Sequence, residues 1–203
     1  MKCLGSIEDA PAIALGVFVC VAAPLYSRES ASPPEGAFMK FIAVIGQRNA
    51  GKSTIIRALT ACKTVGFRGR VEDGKTNEWI EVIASSPQER DMPDLATKMR
   101  KAANDPDCLG VVAALQPDYR GKRICMEGVF EIAQKCHAKC YAFIISQPYD
   151  EERARGVSLT KVTTRLTEFR IRLAKPIHPL DARRFAHLNA AEIQKIANLF
   201  KLL

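Results

Sequence analysis

Nine consecutive residues, Gly46-Gln47-Arg48-Asn49-Ala50-Gly51-Lys52-Ser53-Thr54, carry the strongest chemical signal in the chain. They fit the spacing G-x-x-x-x-G-K-[ST] of a phosphate-cradling loop. Gly46 and Gly51 let the backbone turn tightly and bring amide N–H groups onto an anion. A helix starting here would add its unsatisfied N–H groups and the positive end of its dipole. Lys52 would reach the β- and γ-phosphates of a nucleoside triphosphate, and the Ser53 hydroxyl would ligate the accompanying Mg2+.

Such a loop needs a strand before it and a helix after it. Phe41–Ile45 is short, wholly apolar and β-branched, as suits a strand buried on both faces. Ile55–Cys62 reads as the helix. Val65–Val71 and Glu78–Ala84 are β-leaning runs joined by a turn that contains Asp73-Gly74. Pro93–Ala103 has a helical pattern, with Leu95 and Met99 four apart and Asp94 placed to cap it or complement its dipole. Strands follow at Cys108–Leu115, Tyr141–Ser146 and Phe185–Leu188. Helices follow at Gly128–Lys139, within Glu151–Leu173, and at Ala190–Leu202, where Ile193, Ile196, Ala197 and Phe200 form one stripe. This order predicts a three-layer α/β fold, with a mostly parallel sheet, helices on both faces and one early antiparallel hairpin.

With the loop in that setting, Met39–Leu203 resembles the P-loop NTPases, and within them the Ras-like (TRAFAC) GTPase domain. The pattern G-x-x-N-x-G-K-S, with Asn49, looks like that branch, although Arg48 stands where its members usually have proline. The resemblance implies an Asp-x-x-Gly turn after the third strand. Here the stretch is Ala84-Ser85-Ser86-Pro87-Gln88-Glu89, without that Asp or Gly. Gln88-Glu89 is similar to the Gln-Glu that follows the turn, which would make Gln88 the residue that orients attacking water. An ordinary polar loop is the competing reading. The Asn-Lys-x-Asp motif that reads guanine is reduced to Asp150 in Gln147-Pro148-Tyr149-Asp150. Asp150 either accepts from guanine or caps the next helix. His187-Leu188-Asn189-Ala190 falls at the family's Ser-Ala-Lys position, with Asn189 also a natural helix cap. Thr64 is the nearby candidate for a switch threonine. Glu89, Asp118 and Asp73 are the available substitutes for the missing Mg2+ carboxylate.

The charge is segregated. Residues 1–119 hold 14 basic and 14 acidic side chains, whereas residues 120–203 hold 16 and 8, so the entire net +8 lies in the second part. Arg153, Arg155, Lys161, Arg165, Arg170, Arg172, Lys175, Arg183 and Arg184 are its densest region. Arg165 and Arg172, a heptad apart, could share a helix face. Region 153–184 is either a solvated surface, a face for an acidic macromolecule (nucleic acid or protein), or a kinase-type lid. Trp79 and the tyrosines are scattered, which suits core packing better than base stacking. The seven cysteines are odd in number and include no C-x-x-C, which favours reduced structural thiols and a cytoplasmic location over a disulfide framework. Cys136-His137-x-x-Cys140 lacks a second ligand pair at finger-like spacing.

Residues 1–38 read as an apolar or poorly ordered extension ahead of the 39–203 domain. A weak membrane-surface anchor and upstream sequence before Met39 are the alternatives. The uncharged run Ala10–Ser27 is broken by Pro11 and Pro24 and makes a poor spanning helix. Composition excludes collagen, coiled-coil, repeat and multi-pass membrane classes. Three functions stand against one another. The first is a slow GTP- or ATP-hydrolysing switch, with a nucleotide-dependent dimer as one mode of action. The second is a non-hydrolysing nucleotide-binding module. The third is a small-molecule or nucleotide kinase.

Overall fold

Strand β1 (Lys40–Ile45) has no polar side chain after Lys40, and Phe41 through Ile45 are fully buried. Such a strand needs cover on both faces, and the fold supplies it. The computed structural model describes residues 39–64, 66–89, 92–118 and 124–199, the side chains of Glu89, Met92 and Pro93 excepted. Backbone contacts divide the chain into Met1–Pro34 and Glu35–Leu203. The first unit, and with it the extension reading of residues 1–38, lies outside the described residues.

In chain order the elements are β1, α1 (Lys52–Thr60), β2 (Arg68–Glu72), β3 (Trp79–Ile83), a 3-10 turn at Pro87–Glu89, α2 (Met92–Ala103), β4 (Cys108–Leu115), α3 (Met126–Lys135), β5 (Lys139–Gln147), α4 (Leu159–Glu168), β6 (His178–Asp181) and α5 (Ala186–Ala197). The six strands form one sheet in the order β2-β3-β4-β1-β5-β6. Only β2–β3 is antiparallel, so the expected early hairpin is present. Its tip is held by Asp73, which accepts from Lys75 N–H and Thr76 Oγ1 at 3.0 Å each.

Alternation along the strands divides the core in two. Phe41, Ala43 and Ile45 of β1 join Met99 of α2, Phe130 of α3 and Leu166 of α4 on one face. Ile42 and Val44 join Ile55 and Ile56 of α1 and Ile193 of α5 on the other. Phe41 and Phe130 meet edge to face, ring centroids 5.3 Å apart. Helix ends follow local chemistry. Ser158 caps α4 by accepting from Lys161 N–H at 3.3 Å. Left-handed Ala61 and Asn198 end α1 and α5. Burial pushes the Cys108 thiol up to about 11 and the Cys140 thiol up to about 12, as suits packing residues. Among the described residues, no helix is long and apolar enough to cross a membrane.

Several boundaries differ from expectation. Phe185–Leu188 is not a strand: Phe185 caps α5, and the last strand lies earlier, at His178–Asp181. A proline inside it is tolerated because β6 is an edge strand. Asn189 therefore sits inside α5, fully buried, donating to Asp181 O at 2.9 Å rather than capping the helix. Helix α4 ends at Glu168, so Arg172 does not share its face with Arg165.

Phe130 lies at the centre of the α3 contact with β1. Truncation to alanine is expected to cost about 3–5 kcal/mol. Equilibrium urea unfolding of Phe130→Ala against the parent chain measures it.

Candidate functional site

The chain leaves β1 toward the β2 edge through α1 on one face, whereas β4 and β5 lead toward β6 through α3 and α4 on the other. The carboxyl end of β1 is thus a topological switch point, where open α/β sheets form their binding crevices. Residues 46–51 occupy it. Gly46 N–H donates to Leu115 O at 3.0 Å and Ala50 N–H to Gln47 O at 3.2 Å, which sets the turn. Asn49 (φ 62°) and Gly51 (φ 97°) are left-handed, so Gly51 is required by its backbone. Gly46 is favoured for a different reason. Its φ is ordinary, but a Cβ there would come within 3.2–3.3 Å of Ala50, Lys52 and Ile145.

Gly51 is the N-cap of α1, which has no side-chain cap and no acid in its first turn. Its positive end therefore opens onto the loop. Ala50 is buried, and Arg48, Asn49 and Thr54 are exposed. Lys52 is buried and donates to Gly46 O at 3.0 Å and Gln47 O at 2.6 Å. Ser53 Oγ donates to Ala84 O, at the end of β3, at 2.6 Å. Its lone pairs remain for another partner.

This loop forms one wall of a cavity of about 790 Å3, a size suited to a small ligand. The other walls are the loop after β5 (Tyr149, Asp150, Arg153) and the loop after β6 (Ala182, Arg183, Phe185). Asp150 thus lies on the wall facing the phosphate loop. It does cap, but the element it caps is a turn: its Oδ1 accepts from Glu152 N–H at 3.1 Å and Arg153 N–H at 3.2 Å, while Arg153 Nε lies 3.3 Å from Oδ2. Arg183 grips Asp181 through Nε at 3.0 Å and Nη2 at 3.1 Å.

Sequence reasoning missed Tyr149, Ala182 and Phe185 as cavity residues. The expected strand at Phe185–Leu188 put the following polar residues at 187–190, whereas the loop at the cavity is 182–185. Assigning the tyrosines to the core also fails at Tyr149, which is 74% exposed.

Gln88 sits just past the end of β3, but its amide is already engaged. It is fully buried; its Nε2 donates to Gln116 O at 2.9 Å and its Oε1 accepts from Gln116 N–H at 2.6 Å and Ser86 Oγ at 3.0 Å. The amide joins the segment after β3 to the end of β4. Asp73, at the hairpin tip before β3, sits at the opposite end of the sheet and cannot serve the loop. Thr64 is exposed in the connection that returns to the loop end of the sheet, where Phe67 O accepts from Ala84 N–H at 2.9 Å. The side chain of Glu89 is outside the described residues.

Asp118 does reach the loop. It accepts from Gln47 Nε2 at 3.0 Å and from Lys161 Nζ at 2.8 Å, with Arg165 Nη1 at 3.5 Å. The Lys161 hydrogen bond, more than any other contact, holds its carboxyl below the usual range. Any stability from this shift is present above the ordinary carboxylate pKa and fades as pH falls through the lowered one. Arg165 also pairs with buried Glu127 at 2.5 Å and donates to Pro117 O. Among the described residues, no group of three or more His, Cys, Asp or Glu could hold a metal ion.

No family model matches this chain, and no curated protein matches it. Among solved structures, the FeoB G-domain from Methanococcus jannaschii is similar at 18% identity, over 79% of this chain and 97% of that one, with a TM-score of 0.43. That likeness transfers no residue role to this chain.

Gln88→Ala strips partners from the backbone of half-buried Gln116. The expected effect is a loss of about 1–3 kcal/mol in stability, read by thermal or urea unfolding.

Proposed function

We propose that this chain binds a nucleoside triphosphate with Mg2+ and works as a nucleotide-dependent switch or docking module. One observation carries the reading. A G-x-x-x-x-G-K-S loop with two left-handed residues opens the uncapped start of α1, beside buried Lys52, onto a nucleotide-sized cavity. The triphosphate lies along residues 46–54, with loop amides other than that of Ala50 and the Lys52 ammonium as donors. Lys52 leaves loop carbonyls for phosphate oxygens, exchanging neutral acceptors for charged ones.

The donor set suits a cation that arrives with the nucleotide. Ser53 offers one hard oxygen whose proton is already committed to Ala84 O. Mg2+ characteristically fills its remaining positions with phosphate oxygens and water. When bound, it would neutralise charge on the β- and γ-phosphates.

Hydrolysis in this reading is slow or absent, because the amide of Gln88 is committed to Gln116. That commitment favours the non-hydrolysing alternative over an efficient enzyme. A kinase remains the least supported reading, since Arg153 and Arg183 are already paired with Asp150 and Asp181. Either GTP or ATP as the nucleotide, a cytoplasmic location and a nucleotide-dependent dimer belong to the same proposal. A role for an acidic macromolecule rests on Arg155, Arg170, Arg172 and Lys175, which are exposed.

Calorimetric titration with Mg2+ complexes of GTP, ATP and their diphosphates tests the reading. Lys52→Ala is expected to weaken triphosphate binding by about 2 kcal/mol, roughly thirtyfold. Unchanged affinity in that variant would end it.

A further inference from the structure

The sheet has a second pole. The phosphate loop lies at the carboxyl ends of the parallel strands β1, β4 and β5, and their amino ends lie opposite. Lys40 and Lys139 open β1 and β5 there as register partners. Lys135 and Lys195 lie in the last turns of α3 and α5. Arg170, Arg172 and Lys175 follow α4 in a segment tied to the start of β5, where Ala174 N–H donates to Cys140 O at 2.8 Å. Two further contacts draw these pieces together. Lys40 Nζ donates to Asn198 O at the end of α5, and Gln134 Nε2 of α3 lies 3.5 Å from Arg172 O.

All of these cations are exposed except Lys40, which is half-buried. Residues 132–142, 169–177 and 193–199 contain no Asp or Glu. Glu168, at the end of α4, is the acid that adjoins them. Other acids of this pole lie toward the opposite edge of the sheet, with Asp105 and Asp107 before β4 and Asp73 at the hairpin tip. Helix C-termini attract Lys and Arg, which accounts for Lys135 and Lys195 but not for the cations outside helices. Crowding has an effect at Lys40, whose ammonium pKa is lowered by burial first and then by Lys139. Like charges gathered beside so few acids favour an anionic partner.

Two apolar features meet the same pole. Phe169, next to Arg170 at the end of α4, is 49% exposed. Residues 1–38 join the domain here, at Met39, whose carbonyl accepts from Lys139 N–H at 2.9 Å. They include the uncharged apolar run Ala12–Ala23, shorter than the about 20 residues that span a bilayer. A basic surface joined to an apolar segment is the pair of signals that holds a protein on an anionic membrane. A nucleic-acid strand would call for a row of stacking rings. Among the described residues, Phe169 is the exposed large hydrophobic side chain of this pole.

We infer that the β1–β5 side of this pole docks on an anionic lipid surface, with its cations toward the headgroups and the phosphate loop turned away from the membrane. This goes beyond the nucleotide reading and does not depend on it.

Co-sedimentation of the full chain with phosphatidylcholine vesicles, with and without phosphatidylserine, tests the inference. Binding is expected where phosphatidylserine is present and should fall as salt rises. Arg172→Gln/Lys175→Gln is expected to weaken it roughly twentyfold. Arg153→Gln/Arg155→Gln removes the same charge beside the phosphate loop and should weaken it less than about threefold. Equal loss in the two pairs reduces the attraction to net charge and overturns the docking face. Equally tight binding without phosphatidylserine overturns it, as does no binding to either vesicle. A mixed-sequence RNA that binds the intact chain more tightly than the vesicles, and is lost in Arg172→Gln/Lys175→Gln, assigns the face to nucleic acid and overturns it too. All four substituted residues are exposed, so unchanged thermal unfolding of the variants verifies that binding alone was altered.

Discussion

The parallel pairing of β1 on both sides is the constraint on which the rest depends. Each of its six residues has a partner in β4 and another in β5. A strand held in this way has no freedom of register, because a slip by one residue would exchange its two buried faces. The backbone that emerges from it therefore starts from a fixed place, and Gly46 is bonded to the end of β4 before the turn begins. An anion-binding loop needs that rigidity, since its amides must converge before the ligand arrives. The close approach of the sheet is visible again at Gly110, where a Cβ would fall 2.4 Å from Lys40 O.

Charge is arranged differently around the loop than the sequence total suggests. The excess of basic residues lies after residue 119, yet some of these cations are engaged by carboxylates of the fold. Arg165 bridges Asp118 and Glu127, and Lys161 joins Asp118, which in turn holds Gln47 of the loop. These pairs tie α4 and the start of α3 to the segment after β4. Exposed ion pairs contribute little individually. Glu127 differs because it is almost fully buried and would be costly without Arg165. A region that reads as a uniform cationic surface is thus partly a structural brace.

Elements with strong local signals were legible in the sequence. The runs Phe41–Ile45 and Cys108–Leu115 carry the pattern of central strands, and the phosphate loop announced a following helix, although that helix was expected at Ile55–Cys62 and spans Lys52–Thr60. The cavity wall after β6 was not legible, for a physical reason. The edge strand His178–Asp181 is four residues long, contains Pro179 and is covered on one side only, so neither hydrophobicity nor alternation marks it. Gln88 shows a second kind of limit. Its neighbours looked like a polar loop, and only the tertiary fold places the ends of β3 and β4 close enough for its amide to be enclosed. Residue type told that Gln88 could do chemistry, but not that its hydrogen bonds were already taken.

The two rims of the sheet have a consequence for how the molecule behaves at high concentration. Open α/β sheets expose unpaired backbone groups at their outer strands, and such rims can template addition of another chain. Here β2 carries Arg68, Arg70 and Glu72 and is broken in conformation at Gly69 (φ 144°), while β6 is short and contains a residue that has no N–H. Charge and irregular backbone at one rim, and a missing donor at the other, make each a poor template. Colloidal stability is therefore built into the same outer strands that frame the central one.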